Sequence, residues 1–352
     1  MNIFWFVLVL MVLVLVHEAG HMLVAKWCGM RVERFSIFFG KPIWSFRRGE
    51  TEYGIGWLPL GGYVKISGMT REEQIPPELV PRAYYSAATW KKVLTIAAGP
   101  AVNIVLAFFV FAGVYWIGVP DGPPTTTVAA VQADSPASSI GLRAGDRLLS
   151  VNDAQARGEP TVIQRELKAN PGQVVTVRFE RDGRVVERST KLLVERVDGK
   201  QEGRLGFQFR LDTVQAGPLE GLAKGAEHSW VVVRENVRVV GSLAVDEEAR
   251  DQINSVVGIG AVFDQVADDR VLLLHLIGLI SLALGIFNLL PLLPLDGGHI
   301  LFALIERVRG KALSLAVYNR AAIVGLAVML LVLFVAVQND IELIQGDGLL
   351  ER

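Results

Sequence analysis

Charge is scarce in this chain, and cysteine almost absent. Of its 352 residues 20% are charged and 51% hydrophobic, against about 25% charged in an ordinary soluble domain. That deficit excludes intrinsic disorder, a collagen-like chain and a coiled coil, and it argues against an ordinary soluble enzyme. A single cysteine, Cys28, excludes an intramolecular disulfide framework and any Cys-rich metal site. There is no basic excess either. Lys and Arg number 35 against 36 Asp and Glu, a net charge of -1, so nucleic acid is not an expected partner. Internal repeats and low-complexity tracts are missing. What the chain has in abundance is apolar residues, with a mean hydropathy of +0.38, and the question is where they sit.

They are concentrated in four stretches that approach or reach the roughly 20 residues needed to cross a bilayer. The first runs from about Ile3 to Ala25, the second from Val93 to about Ile117, the third from Val271 to about Pro294 and the fourth from Ala321 to Val337. Residues 118–270 between the second and third have the composition of a soluble domain. The first stretch has no positive n-region and no small-residue cleavage site, so it reads as a retained span and not a signal peptide.

Charge then sets orientation. Residues 26–92 carry 11 Lys/Arg and 6 Asp/Glu, and residues 305–320 carry 4 and 1. The insert, 118–270, carries 19 and 23, and the tail, 338–352, carries 1 and 4. The two short basic loops belong in the cytoplasm by the positive-inside rule. The insert and both termini are then expected outside. Cys28 falls at the cytoplasmic end of the first span, where a free thiol is normal.

Ionisable residues inside a span are costly and need a partner or a function. The first span contains His17-Glu18-Ala19-Gly20-His21, an H-E-x-x-H pattern. Two histidines four apart share one face of a helix, one turn apart, so both imidazoles can reach one Zn²⁺. Glu18, about 100° round the helix, can hold the attacking water and move its proton. The competing reading is a polar helix-packing cluster.

A catalytic zinc usually takes three protein ligands. The third span ends in Asn288-Leu-Leu-Pro291-Leu-Leu-Pro294-Leu295-Asp296-Gly297-Gly298-His299. Asp296 is the carboxylate near that end, at similar depth to the histidines, and is the preferred third ligand, with His299 its competitor. His275, mid-span, reads as a packing residue, and His228 as too distant. Pro291, Pro294, Gly297 and Gly298 break helical geometry, which is tolerated at membrane depth where the chain is buried in protein or lines a cavity.

At this point the residues resemble a known family. HEAGH in the first span and NLLPLLPLDGG in the third look like the site-2 protease family of intramembrane zinc metalloproteases, in its bacterial RseP-like branch. Gly99-Pro100-Ala101-Val102-Asn103 resembles that branch's G-P-x-x-N motif. Phe35–Lys41 and Ile55–Lys65 resemble its membrane-reentrant β-loop, although Phe38-Phe39-Gly40 stands where G-F-G is frequent. Val256-Val257-Gly258-Ile259-Gly260 likewise stands in place of G-P-x-G-I. The resemblance implies that His17, His21 and Asp296 bind zinc, that Glu18 activates water, and that Asn288 and Asn103 position or polarise the substrate backbone. An Asn in an apolar span can instead bond a neighbouring helix.

The loop has a physical logic of its own. A substrate that crosses the membrane as a helix hides its peptide bonds in hydrogen bonds, and a protease must open it. The Gly-punctuated run Glu52 to Lys65 can offer a sheet edge to an extended substrate, or be an ordinary cytoplasmic hairpin.

In the insert, strands are expected at Val128–Val131, Arg147–Asn152, Val174–Arg181, Val185–Leu192 and Leu205–Arg210. A hairpin turn is expected at Asp182-Gly183, and a helix over Thr161–Ala169, stopped by Asn170-Pro171-Gly172. Ser135-Pro136-Ala137 and Gly141–Asn152 resemble the core motif of bacterial PDZ domains, and there is room for one such domain. It is expected either to bind peptide as a filter for pre-trimmed substrates or to exclude by size alone. Leu222, Ala226, Trp230, Val233, Val237, Val240 and Leu243 predict an amphipathic helix from about Leu219 to Val245, lying on the outer interface or on the PDZ domain.

The expectation is therefore a polytopic α-helical membrane protein with four transmembrane helices, a membrane-reentrant β-loop and one extracytoplasmic PDZ domain. Its segments are 1–30 (first span with HEAGH), 31–92 (β-loop region), 93–118 (second span), 123–212 (PDZ), 213–270 (helical linker), 271–300 (third span with LDGG) and 320–338 (fourth span). The resemblance implies a zinc endopeptidase of the bacterial inner membrane, with its active site towards the cytoplasm. It would act on single-span membrane substrates, such as anti-sigma factors and remnant signal peptides, after a first external cut. The bilayer and substrates are the expected partners, with no obligate partner protein. Rival readings are a membrane PDZ adaptor with a structural metal and a metal transporter using the same ligands.

Overall fold

The computed structural model describes residues 2–69, 72–119, 122–197, 200–242, 256–267 and 269–345. The chain divides into two compact units. One comprises Met1–Trp116 with Gly217–Arg352, the other Ile117–Ala216.

The first unit is built on long helices. They are α1 (Asn2–Trp27), α2 (Thr89–Ile117), and, after the insert, α5 (Pro218–Ser242), α6 (Val256–Val266), α7 (Arg270–Asn288), α8 (Asp296–Arg309) and α9 (Leu315–Gln345). Among the described residues, α1, α2, α7 and α9 are long and apolar enough to cross a membrane. Large side chains on α9 such as Leu330, Leu331 and Phe334 stay outward and exposed, as lipid-facing residues should. Asp340 of α9 is buried and accepts the Gly258 N–H at 2.9 Å, satisfying an orphan donor of the first turn of α6.

The third apolar stretch is not one helix. α7 stops at Asn288, its cap region closed by Leu289 N–H on Ile286 O. Pro291 and Pro294 cannot continue it, and the chain turns and starts α8 at Asp296. The LDGG motif thus opens a new helix and does not end the old one, a correction to the single segment 271–300.

α5 also departs from the sequence pattern. Its expected stripe is split, with Trp230 66% and Val237 58% exposed while Val233 packs against α2 and α7. The packed face carries Gly221, Gly225 and Ser229. A Cβ on Gly221 would stand 2.2 Å from Trp116 Nε1, and one on Gly225 2.8 Å from Ala112 N. Small residues let the two backbones approach closely at these positions. The helix packs on α2 and α7. The end of the expected helix, residues 243–245, lies outside the described residues.

Two long strands, β1 (Val32–Arg48) and β2 (Thr51–Ile66), fold between α1 and α2. Arg34, Phe35, Ser36 and Ile37 each have two backbone partners: Lys65, Val64, Tyr63 and Gly62 on one side, Glu52, Tyr53, Gly54 and Ile55 on the other. Trp44–Arg48 pair with Ile55–Thr51 in turn. The hairpin is thereby doubled into four short segments, bent where Phe38 (φ 72°) and Gly40 (φ 90°) take left-handed backbone. Glu52–Ile55 is interior. Gly62–Ile66 pairs on one side only among the described residues, which confines any free edge to the end of the run expected to supply it.

The second unit holds β3 (Pro124–Val131), α3 (Pro136–Ser139), β4 (Arg147–Val151), β5 (Ala154–Gln155), α4 (Pro160–Ala169), β6 (Val174–Arg181), β7 (Arg184–Lys191), β8 (Leu193–Val197), β9 (Lys200–Arg204) and β10 (Phe207–Leu211). Its main sheet runs β10-β3-β4-β6-β7, with β5 on β4. Asp182 (φ 49°) and Gly183 (φ 76°) make the β6–β7 turn, the two positive φ values a type I′ hairpin needs. Val128, Leu148, Val151, Ile163, Val177 and Phe179 form its core.

Asp146, 2% exposed, ties that core to the surface. It accepts from Arg143 N at 2.7 Å and from Arg181 Nε at 2.7 Å. Burial pushes its carboxyl up, but the Arg181 bond and the Arg143 amide outweigh this and hold it below the usual range. Its stabilisation is therefore complete above the unfolded value of about 4 and is lost as pH falls below that, through the lower folded value. Asp146→Ala should cost about 2–3 kcal/mol by leaving charged and backbone donors unpaired. Hydrogen exchange of the full chain checks this: β4 and β6 should lose protection in the variant and, in the parent, on acidification below about pH 4.

Candidate active site

α1 places His17 and His21 one turn apart on a buried face, with their Nε2 atoms 3.2 Å from each other. Asp296, at the start of α8, brings Oδ2 to 3.0 Å from His17 Nε2 and 3.3 Å from His21 Nε2. Among the described residues these three form the one group of at least three His, Cys, Asp or Glu able to share a metal ion.

The far side of each imidazole fixes which nitrogen faces the centre. His21 Nδ1 lies 2.9 Å from the Thr95 carbonyl, which can only accept, so Nδ1–H donates there and Nε2 presents a lone pair. His17 Nδ1 lies 3.4 Å from the Asn103 amide. Asn103 is fully buried, and its Oδ1 has no hydrogen-bond partner. Amide oxygen and nitrogen exchange by a flip. With Asn103 turned, Oδ1 would accept from His17 Nδ1–H. Both Nε2 atoms then converge as lone pairs on a carboxylate oxygen. Such a set repels itself unless a cation lies among it, and two imidazoles and one carboxylate with a further position open suit a catalytic Zn²⁺. The donor set therefore fits the metal.

The neighbours explain how the helices come close enough. A Cβ on Gly20 would stand 2.6 Å from Ala98 O, so α1 and α2 touch at backbone distance. Gly99 faces the site itself: a Cβ there would stand 2.3 Å from His21 Nε2 and 2.8 Å from His17 Nε2. Ser281 Oγ of α7 donates to Asn103 O at 2.9 Å and pins α2 on its other side. Glu18 is half-buried beneath β2, where a Cβ on Gly62 would stand 3.2 Å from its Cγ.

The remaining candidates are not among the three converging residues. Asn288 ends α7, and its Nδ2 donates to Leu284 O at 2.9 Å. Asn103 lies against His17. His299 lines a cavity beside the site and is not in the three-residue group. His275 packs against Phe111 and His228, with ring centroids 5.4 and 4.9 Å away. No site role was expected from the sequence for Thr95, Gly99 or Gly62. The signal for Gly99 was the Gly-Pro pair inside an apolar span.

A two-histidine, one-aspartate centre with a glutamate beside it, its histidines on a helix of membrane-spanning length, defines a membrane metallopeptidase. The chain belongs to peptidase family M50, the site-2 protease family, whose model matches residues 5–332. A protein of Rhizobium meliloti named as a zinc metalloprotease is 33% identical over 372 aligned positions, covering 97% of this chain and 96% of its own. The regulator of sigma-E protease RseP of Salmonella typhimurium is 29% identical over 444 positions, covering 96% and 98%. The PDZ domain of an SdrC-like protein from Listeria monocytogenes is similar to 25% of this chain and matches over 87% of its own, at 19% identity and a TM-score of 0.21. The chain is a zinc metalloprotease of the membrane.

Proposed function

We propose that His17, His21 and Asp296 hold the zinc, that Glu18 is the general base and then acid, and that the enzyme cleaves single-span membrane proteins within or at the cytoplasmic edge of the span. The observation that carries this reading is the convergence of two imidazole Nε2 atoms and one carboxylate oxygen within about 3 Å, with both Nδ1 positions already held from behind. Bound there, zinc would supply Lewis-acid polarisation of the scissile carbonyl and a water acidic enough to ionise near neutral pH. Glu18 accepts the proton of the attacking water and delivers it to the leaving amine. Thr95 and Asn103 fix the tautomers of His21 and His17, the orienting role that outer-shell partners play. Asn288, where α7 breaks, is assigned to the substrate backbone. Gly62–Lys65 is the edge along which an opened substrate pairs, so that its scissile bond passes Glu18.

The charge of residues 26–92 and 305–320 supports a cytoplasmic active site with the insert and termini outside, in a bacterial inner membrane like that of the RseP relative. The insert's sheet and its Gly141–Asn152 motif support a PDZ domain that selects substrates already trimmed by a first cut. Anti-sigma factors and remnant signal peptides are the substrate classes this reading favours.

The full chain in vesicles with a single-span reporter tests it. Cleavage inside the reporter's span should stop with a zinc chelator and return on adding Zn²⁺ alone. Zinc flux across the vesicle without cleavage would instead establish a transporter.

A further inference from the structure

A cavity of about 280 Å³ lies one helical turn from Asp296, and no member of the metal centre lines it. The turn from Asp296 to His299 brings α8 from the site to the cavity wall. Opposite stand Tyr84 and Tyr85, from the short 3-10 turns before α2, and Tyr318 of α9. Ala303 and Leu293 complete an apolar, aromatic floor. The charged lining groups are Glu72, Glu306 and Lys92. Lys92 is buried, with its ammonium 5.6 Å from the Tyr84 ring centroid. Glu306 is occupied in part by Leu313 N–H at 2.9 Å. Glu72 is exposed at the rim. Two carboxylates against one ammonium leave the cavity acidic.

Its size lies just below the roughly 300–1,000 Å³ of sites that hold whole small ligands, which suits one or two side chains. Its walls come from the start of α2 and the α8–α9 connection, the parts of the chain placed in the cytoplasm by their basic residues. A substrate span that reaches this side presents apolar residues first and then the Lys or Arg that flank cytoplasmic span ends. The cavity offers an aromatic floor first and acidic groups at the rim, in the same order.

We propose that this cavity is a specificity pocket for the substrate, taking a large apolar or aromatic side chain on the cytoplasmic side of the scissile bond, with Glu72 receiving the basic flank that follows. The proposal rests on the protease reading above.

Four single-span reporter peptides test it, with Phe or Ala at the mapped pocket position and Lys-Lys or Glu-Glu as the flank. Their Kd is measured on the full-length Glu18→Gln protein, and their cleavage on the active enzyme. The parent should prefer Phe with Lys-Lys. Ala303→Phe, which fills the floor, should weaken binding of the Phe peptides about 10-fold or more, the scale of a hydrophobic pocket contact, and change the Ala peptides little. Glu72→Lys should invert the flank preference, which a merely misfolded variant cannot do. Equal Kd values for all four peptides on the parent, or uniform losses without inversion in the variants, would overturn the pocket. The stated binding preferences without any cleavage by the active chain would overturn the protease reading alone.

Discussion

Glu18→Gln removes cleavage and leaves zinc in place. The carboxylate is not among the atoms that converge on the metal centre, and it is one residue from His17 and under Gly62. An amide of the same shape keeps that packing but cannot accept the water's proton. General acid–base groups contribute about 10²–10⁴-fold, so cleavage should fall by that factor while zinc stays at one per chain. Cleavage of a membrane-embedded reporter, measured beside zinc content on the same preparation, checks both halves. Cleavage at parental rate would remove Glu18 from the mechanism and assign the general base to another group.

Gly99→Ala should be as damaging, against the usual trend. In a helix interior Ala is favoured over Gly by about 0.8–1.0 kcal/mol. At Gly99 the added methyl would lie 2.3 and 2.8 Å from the two imidazole Nε2 atoms. The retreat of α2 from α1 is opposed by α7, which holds it from the other side through Ser281. The imidazoles must swing off the metal instead. Loss of an outer-shell partner costs 10–100-fold in metal affinity, and displacement of two ligand atoms should exceed about 100-fold. Gly113→Ala is the control, since a Cβ there meets nothing within 4 Å, and it should be neutral or slightly stabilising. Chelator competition measures both. Parental zinc affinity in Gly99→Ala would mean that the lone pairs do not face α2.

What could be read from the sequence was local. The spacing of His17 and His21 is a property of one helix, and so is their shared face. The four apolar stretches follow from length and composition. The Asp182-Gly183 turn follows from backbone chemistry alone. Features that depend on two elements meeting were not legible. The closeness of Gly99 to the imidazoles needs the α1–α2 crossing. The doubled β1–β2 hairpin needs pairings that no alternation pattern predicts. On α5 the pattern did not mark the closest contacts, which are made by Gly221 and Gly225 against α2. At Pro291 and Pro294 the sequence announced a break without saying that a new helix would start at Asp296.

The most direct test of the metal centre is zinc-edge X-ray absorption on the purified full-length enzyme and on Asp296→Ala. The account predicts a parental shell of light atoms at about 2.0–2.1 Å with the outer scattering of two imidazoles, and a loss of zinc in the variant. A third imidazole around the metal, or full zinc occupancy without Asp296, would contradict it.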